Sequence, residues 1–193
     1  MTVRFAVIYG SVRSERQGIR AVRWIASVLR ERGHEVDVVD PMAMPLPMLD
    51  RMYKEYDEGA APEAMESIAR IFRSVDGFVA VSGEYNHAVP PALKNLLDHF
   101  QAEYLWRPAA ILTYSAGHTG GARAQVQLRA ILGELGLVTI PAMLDVPRVA
   151  KAIDEDGTDL EGHLTRSVDR YCDELEWYAR ALARGRDAGV PYE

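Results

Sequence analysis

The sequence has almost no cysteine and no long apolar run. Cys172 is the one cysteine among 193 residues, which excludes an intrachain disulfide and leads us to expect a reducing, cytoplasmic environment. No apolar run approaches the roughly 20 residues that a membrane-spanning helix needs. The first residues lack the basic and apolar segments of a secretory signal, so we expect no signal peptide.

Positive charge is also in short supply. The formal net charge is -6, which argues against broad binding to nucleic acid or to anionic membranes. A hydrophobic content of 48% and a charged content of 26% are ordinary for a soluble globular protein. The 193 residues suffice for a full apolar core, and we expect a single domain over residues 1–193.

Strand and helix patterns alternate along the chain. The predicted strands are residues 3–9, 35–39, 77–82, 108–114 and 137–140. The predicted helices are residues 15–32, 63–74, 91–100, 122–135 and 160–183. Residues 41–61 contain several proline and glycine breakers and are predicted to form a loop.

This alternation predicts an α/β fold with a parallel sheet and helices on both faces, because right-handed crossovers place them there. Five strands fit the flavodoxin-like order 2-1-3-4-5, a three-layer sandwich. Ligands of such sheets bind beyond the carboxyl ends of the strands, where the strand order reverses. We therefore expect the loops at residues 10–18, 82–90 and 115–121 to share one crevice.

The first of these loops has the composition of a phosphate site. It begins at Gly10, contains Ser11, Arg13 and Arg16, and leads into a helix. Unpaired N–H groups and the helix dipole favour an anion there, and arginine can bind two phosphate oxygens at once. The loop is neither the dinucleotide fingerprint nor the P-loop. A capped helix with solvated arginines is the alternative.

The other two loops are also chemically unusual. Residues 84–87 place a carboxylate, a phenol, an amide and an imidazole in succession. Residues 115–121 contain three glycines, which let backbone N–H groups approach a flat ligand closely. Both compositions favour a binding site over simple connections.

Three stretches of the chain match the motifs of one known family. They are Gly10-Ser11-Val12-Arg13 followed by Arg16, then Glu84-Tyr85-Asn86 with Pro90 and residues 93–98, and finally residues 115–123. They resemble the phosphate loop, the central signature and the glycine-rich loop of the NADPH-dependent FMN reductase family. The resemblance covers about the first 150 residues. Gly83 stands where that family usually has proline.

The resemblance implies a role for each motif. The residues implied to bind the FMN phosphate are Ser11, Arg13, Arg16, Gln17 and Gly18. Those implied to follow the ribityl chain and the isoalloxazine ring are Glu84, Tyr85 and Asn86. Those implied to border the other edge of the ring are Ser115, Gly117, His118 and Gly120. No metal site is expected, and no side chain is expected to act as a nucleophile, because the flavin carries the chemistry.

The resemblance also implies the activity. It is an FMN-dependent oxidoreductase that takes hydride from NADPH or NADH and passes it to a small acceptor, such as a quinone, free flavin or an azo compound. One alternative is a flavodoxin-type FMN electron carrier that does not oxidise NAD(P)H itself. Another is a flavodoxin-like domain without flavin that acts through protein contacts. A homodimer or homotetramer is implied, with Tyr104, Leu105 and Trp106 as interface candidates.

Several residues have a plainer interpretation. Tyr85 could be a core aromatic, and His118 could be a surface histidine without a ligand. Residues 154–159 superficially resemble a calcium loop, but Thr165 stands where the bidentate glutamate belongs, so a polar turn is expected. Cys172 is expected in the core.

Overall fold

A parallel sheet of five strands forms the centre of the protein. A computed structural model describes residues 2–192. The strands are β1 Arg4–Tyr9, β2 Glu35–Val39, β3 Gly77–Gly83, β4 Pro108–Tyr114 and β5 Val138–Val146. Their order in the sheet is β2-β1-β3-β4-β5, and every pairing is parallel. The predicted flavodoxin-like order is thus confirmed.

Helices cover both faces of the sheet. They are α1 Ile19–Glu31, α2 Glu63–Ser74, α3 Pro91–Asp98, α4 Ala122–Glu134, α5 Val149–Ala152 and α6 His163–Ala188. Side chains of a strand point alternately to its two faces. In β1, Phe5 and Val7 accordingly join a core with α1 and α6, while Ala6 and Ile8 join a core with α2 and α3.

The fifth strand is longer than predicted. It extends to Val146, whereas the sequence suggested an end at residue 140, before Pro141. Proline is tolerated because β5 is an edge strand, where one row of N–H groups has no neighbouring strand. A register shift between Ala109 and Ile111 accompanies this stretch. The short helix α5 that follows was not predicted.

Two helices and one interface candidate also differ from prediction. The first helix begins at Ile19 rather than at residue 15, since residues 11–18 form the polar loop. The last helix runs from His163 to Ala188, later at both ends than predicted. Tyr104 is fully buried, so its proposed place at a subunit interface is wrong, while Leu105 and Trp106 are half-buried.

A charged cluster joins the last helix to the end of α1 and the start of β2. The carboxylate of Glu176 on α6 accepts a hydrogen bond from Arg32 Nε at 2.6 Å. The same carboxylate lies 3.1 Å from Nε2 of the buried His34, which precedes β2. Arg32 also forms ion pairs with Asp169 and Asp173. The end of α1, the start of β2 and the middle of α6 are therefore joined at one point.

Within residues 2–192, no helix is long and apolar enough to cross a membrane.

Candidate functional site

The three loops predicted to share a crevice do meet at the carboxyl ends of the strands. Gly10 donates its N–H to Val81 of β3 at 3.1 Å. The hydroxyls of Ser11 and Tyr85 lie 3.3 Å apart, which joins the first loop to the second. Glu84 accepts hydrogen bonds from Arg123, which joins the second loop to the helix after the third. Parallel strand order brings these distant segments together.

The first loop is shaped by Ser11 and Arg16. Ser11 is buried, and its hydroxyl oxygen lies 3.4 Å from the N–H of Arg13. Arg16 makes a two-pronged ion pair with Asp40, of which one contact is 2.6 Å, and also donates to the carbonyl oxygen of Ser11 at 3.3 Å. The pKa of Arg16 is raised, chiefly by the hydrogen bond to Asp40. This guanidinium therefore fixes the shape of the loop.

Asp40 was missed by the sequence reasoning. It follows β2, which is the neighbour of β1, so its carboxylate lies beside the first loop. The signal available was a carboxylate at the end of the strand next to β1. The arginine-rich loop needed such a counter-ion.

The other residues of the first loop differ in their exposure and in whether their side chains already have hydrogen-bond partners. Arg13 is exposed, and its guanidinium has no hydrogen-bond partner within residues 2–192. The amide oxygen of Gln17 accepts from Arg20 Nε at 3.0 Å. Gly18 is buried against Tyr114, and an added Cβ would lie 1.9 Å from Cζ of that ring. Arg13 is thus the most available cation for an anionic ligand.

The second loop is a tight two-residue turn. Tyr85 and Ala88 exchange backbone hydrogen bonds of 2.9 and 3.0 Å. Between them, Asn86 and His87 have positive φ values of 50° and 69°, which few residues other than glycine adopt readily. Gln127 on α4 supports the turn by donating to the carbonyl oxygen of His87 at 2.8 Å. Tyr85 is only half-buried, so it is not the core aromatic of the plainer interpretation.

Glu84 is turned toward α4. Its carboxylate accepts the backbone N–H of Arg123 at 3.1 Å and Nη1 of the same residue at 3.0 Å. Burial opposes ionisation, but these hydrogen bonds outweigh it and lower the pKa of Glu84. Arg123 is therefore paired with Glu84 although about half of its side chain is exposed. The contact of Glu84 with a flavin stays a prediction, and its carboxylate is already paired with Arg123.

The third loop is closed by Ser115. Its hydroxyl donates to the carbonyl oxygen of Gly117 at 2.9 Å and accepts the N–H of Gly120 at 3.0 Å. Gly120 has a φ of 62°, and an added Cβ would lie 2.8 Å from Cβ of Asp145, so only glycine fits. At Gly117 an added Cβ would meet nothing within 4 Å. The backbone there is open to a flat ligand, and His118 beside it is exposed.

The acidic stretch at residues 154–159 is a polar turn. One oxygen of Asp154 accepts the N–H groups of Asp156 and Thr158, at 3.0 and 2.7 Å. The oxygens of Asp159 accept N–H groups at the start of α6. In the part of the chain that the structure describes, no group of three or more metal-ligating side chains is placed to hold a metal ion.

The residues present fit a phosphorylated, flat cofactor such as FMN. Arg13 offers an exposed cation on the first loop, and the glycine backbone at residue 117 is uncovered on the third loop. Tyr9, just before the first loop, has a buried hydroxyl without a hydrogen-bond partner among the described residues. A buried donor of this kind is costly unless a ligand satisfies it.

Comparisons with known proteins identify relatives of this site and fold. The sequence profile of the NADPH-dependent FMN reductase family matches residues 3–150. An NAD(P)H-dependent FMN reductase of Schizosaccharomyces pombe is 30% identical over 178 residues, covering 85% of this chain and 84% of that protein. A 2-hydroxy-1,4-benzoquinone reductase of a Burkholderia species is 28% identical over 169 residues, covering 85% and 86%.

A solved structure shows the same fold. The NAD(P)H:(acceptor) oxidoreductase FerB of Paracoccus denitrificans has a TM-score of 0.73 at 22% identity. The match covers 92% of this chain and 99% of that one.

Proposed function

The chain belongs to the NADPH-dependent FMN reductase family and is an FMN-dependent NAD(P)H oxidoreductase, and we propose that its electron acceptor is a quinone. The observation that carries the proposal is the meeting of the three loops at the carboxyl edge of the sheet, with an uncovered backbone at Gly117 where a flat cofactor and a flat acceptor would lie. The relation to a 2-hydroxy-1,4-benzoquinone reductase supports the choice of acceptor.

We propose that the first loop binds the phosphate of FMN. Arg13 would supply a mobile cation, while Ser11, Gln17 and Gly18 would lie along the loop that Arg16 holds in shape. The start of α1 adds the partial positive charge of a helix N-terminus.

The other two loops would hold the ribityl chain and the ring. Tyr85 and Asn86 lie on the tight turn after β3, with Glu84 bracing that turn against α4. Ser115 holds the glycine loop in shape, and Gly117, His118 and Gly120 present its surface. The bound cofactor supplies the redox chemistry, and these residues supply orientation and a fixed electrostatic environment.

The first test is spectroscopic. The protein is mixed with FMN, desalted and examined for a flavin absorbance spectrum, and NADPH is then added without oxygen. We expect retained flavin that is bleached by NADPH and re-oxidised by 1,4-benzoquinone faster than by an azo dye or free FMN. Retained flavin that benzoquinone re-oxidises no faster than the other acceptors would exclude the proposed acceptor.

A matched pair of variants tests the phosphate loop. Arg13→Ala removes the unpaired cation of the loop, and Arg184→Ala removes an exposed arginine on α6. The first should weaken FMN binding by about tenfold, the cost of one charge-assisted hydrogen bond. Equal affinity in both variants would remove Arg13 from the site.

We also propose a cytoplasmic homodimer or homotetramer. The single cysteine supports the first part, and the family resemblance supports the second. Leu105 and Trp106 remain the interface candidates. Light scattering on the purified protein tests the assembly, and a monomer at micromolar concentration would contradict it.

A further inference from the structure

A cluster of hydroxyl groups lies beneath the first loop. Tyr9 ends β1 and is fully buried. Its hydroxyl lies beside those of Ser11 and Tyr114 but makes no hydrogen bond of normal geometry to either. The hydroxyl of Tyr85 approaches the same serine at 3.3 Å. Three phenol hydroxyls, one from each of three strand ends, therefore converge around Ser11.

Tyr114 reaches this cluster through a slot between two glycines. An added Cβ at Gly18 would lie 2.3 Å from Cε1 of the ring and from its hydroxyl. An added Cβ at Gly83 would lie 3.2 Å from the hydroxyl and 3.4 Å from Cε2, on the opposite edge of the ring. The ring is thus confined on both edges and cannot move away from one glycine without approaching the other.

Backbone conformation does not explain either glycine. Gly18 has a φ of -66°, which any residue can adopt. Gly83 is not among the glycines with positive φ. The side chain of Tyr114 is the reason that both positions lack a Cβ.

We infer that Tyr9 and Tyr114 are phosphate-binding residues, and that Gly18 and Gly83 are present to admit the Tyr114 phenol to the hydroxyl cluster around Ser11. The inference rests on the proposed FMN site and extends it to two side chains from the strand ends below the loop. It predicts that this protein discriminates FMN from riboflavin through buried phenols as well as through arginine.

The chemistry of the cluster suits a phosphate. Each hydroxyl has one hydrogen to donate, and the oxygens of an ionised phosphate are acceptors for it. Burial raises the pKa of Tyr9 and of Tyr114, so both phenols keep the proton that they would donate. The guanidinium of Arg16 lies 5.1 Å from the centre of the Tyr9 ring and adds positive charge to the same space.

Flavin fluorescence titrations of the flavin-free full chain test the inference. FMN and riboflavin differ only in the phosphate, so each variant is titrated with both. Tyr9→Phe and Tyr114→Phe should each raise the Kd for FMN by about tenfold or more, as expected for a hydrogen bond to a charged group. The Kd for riboflavin should stay within about twofold in both variants.

The control is Tyr171→Phe. Tyr171 is nearly fully buried and its hydroxyl also lacks a hydrogen-bond partner among the described residues, but it lies on α6, within a helix and not at the end of a strand that leads into the three loops. This variant should bind FMN like the wild type. An unchanged FMN affinity in Tyr9→Phe, or an equal loss for FMN and riboflavin, would overturn the inference. A wild type that fails to bind FMN would instead overturn the proposed site itself.

The role of Gly83 has its own test. Gly83→Ala should displace the Tyr114 hydroxyl and weaken FMN binding about as much as Tyr114→Phe does. Combining the two changes should add little, since residues that act through one contact are not additive. Full additivity would show that Gly83 serves another purpose.

Discussion

At the scale of single residues, Glu84 shows how one carboxylate can hold a site together. It lies where the loop after β3 meets α4, and both of its oxygens accept N–H groups of Arg123. The side chain of Glu84 is largely buried, whereas that of Arg123 is about half exposed, so solvent weakens the ion pair.

Glu84→Gln should therefore loosen the turn after β3. We expect a loss of about 1 kcal/mol in the free energy of unfolding, the usual value of one such hydrogen bond. Because the pKa of Glu84 is lowered on folding, its contribution is present above the unfolded value of about 4.3 and is lost as pH falls through the folded value.

Urea denaturation of both proteins at several pH values measures this difference. The difference in the free energy of unfolding between wild type and variant should be constant near neutral pH and should shrink in acid. A gap that widened in acid would contradict the assignment.

Cys172 gives a second prediction at this scale. Its side chain is fully buried on α6, and burial raises the pKa of the thiol to about 12. The reactive thiolate is therefore scarce near neutral pH, and reagent cannot reach the sulfur.

We expect Cys172 to resist a disulfide reagent such as DTNB in the native protein at pH 8 and to react fully in denaturant. The absorbance of the released thiolate reports the reaction. Rapid modification before unfolding would show that α6 opens locally.

At the scale of elements, Asp159 fixes the start of the last helix. One oxygen accepts the N–H of Gly162 at 2.9 Å, and the other accepts the N–H and the hydroxyl of Thr165 at 2.8 and 2.9 Å. These N–H groups have no partner inside the helix. The helix begins at His163 for this reason, although the apolar pattern extends to residue 160.

Asp159→Ala should lower the free energy of unfolding by about 1 kcal/mol, the usual cost of losing a helix cap. Asp156→Ala is the matched control, because Asp156 is exposed in the preceding turn. Chemical denaturation of both variants measures the difference. Equal stability of the two variants would show that the carboxylate of Asp159 does not stabilise α6.

At the scale of the whole molecule, Glu176 links the helices α1 and α6 to the start of the strand β2. It contacts Arg32 after α1, His34 before β2 and Arg180 on its own helix. Burial opposes its ionisation, but the hydrogen bond from Arg32 and the nearby imidazole of His34 outweigh that effect and lower its pKa. Its removal leaves a largely buried guanidinium and a buried imidazole without this partner.

Glu176→Ala should cost about 3 kcal/mol, the lower end for breaking a buried ion pair, because Arg32 keeps Asp169 and Asp173. The wild-type protein should lose this stabilisation as pH falls below about 4.3, the pKa of a glutamate in the unfolded chain. The stabilisation is complete above that value and disappears as pH falls through the lower pKa of the folded state. Asp187→Ala, at an exposed position of the same helix, is the control for thermal melting. A melting temperature like that of the control would contradict the linking role.

Much of the fold was predictable because its signals are local. Buried strands such as β3 are continuous apolar runs, and α1 and α2 each show one apolar stripe. The end of β5 was not predictable, because Pro141 breaks a central strand but not an edge strand. Whether a strand lies at the edge or in the centre of a sheet is a property of the assembled sheet.

The sequence by itself determined the parallel sheet, its strand order and the three loops that lie together at one edge. Local periodicity and right-handed crossovers are enough for that. The tertiary structure alone decided the partners across those loops. Asp40 is 24 residues from Arg16, Glu84 is 39 from Arg123, and Tyr114 lies between Gly18 and Gly83. Such contacts join residues far apart in sequence, and they depend on side-chain space and charge that exist only once the strands have assembled.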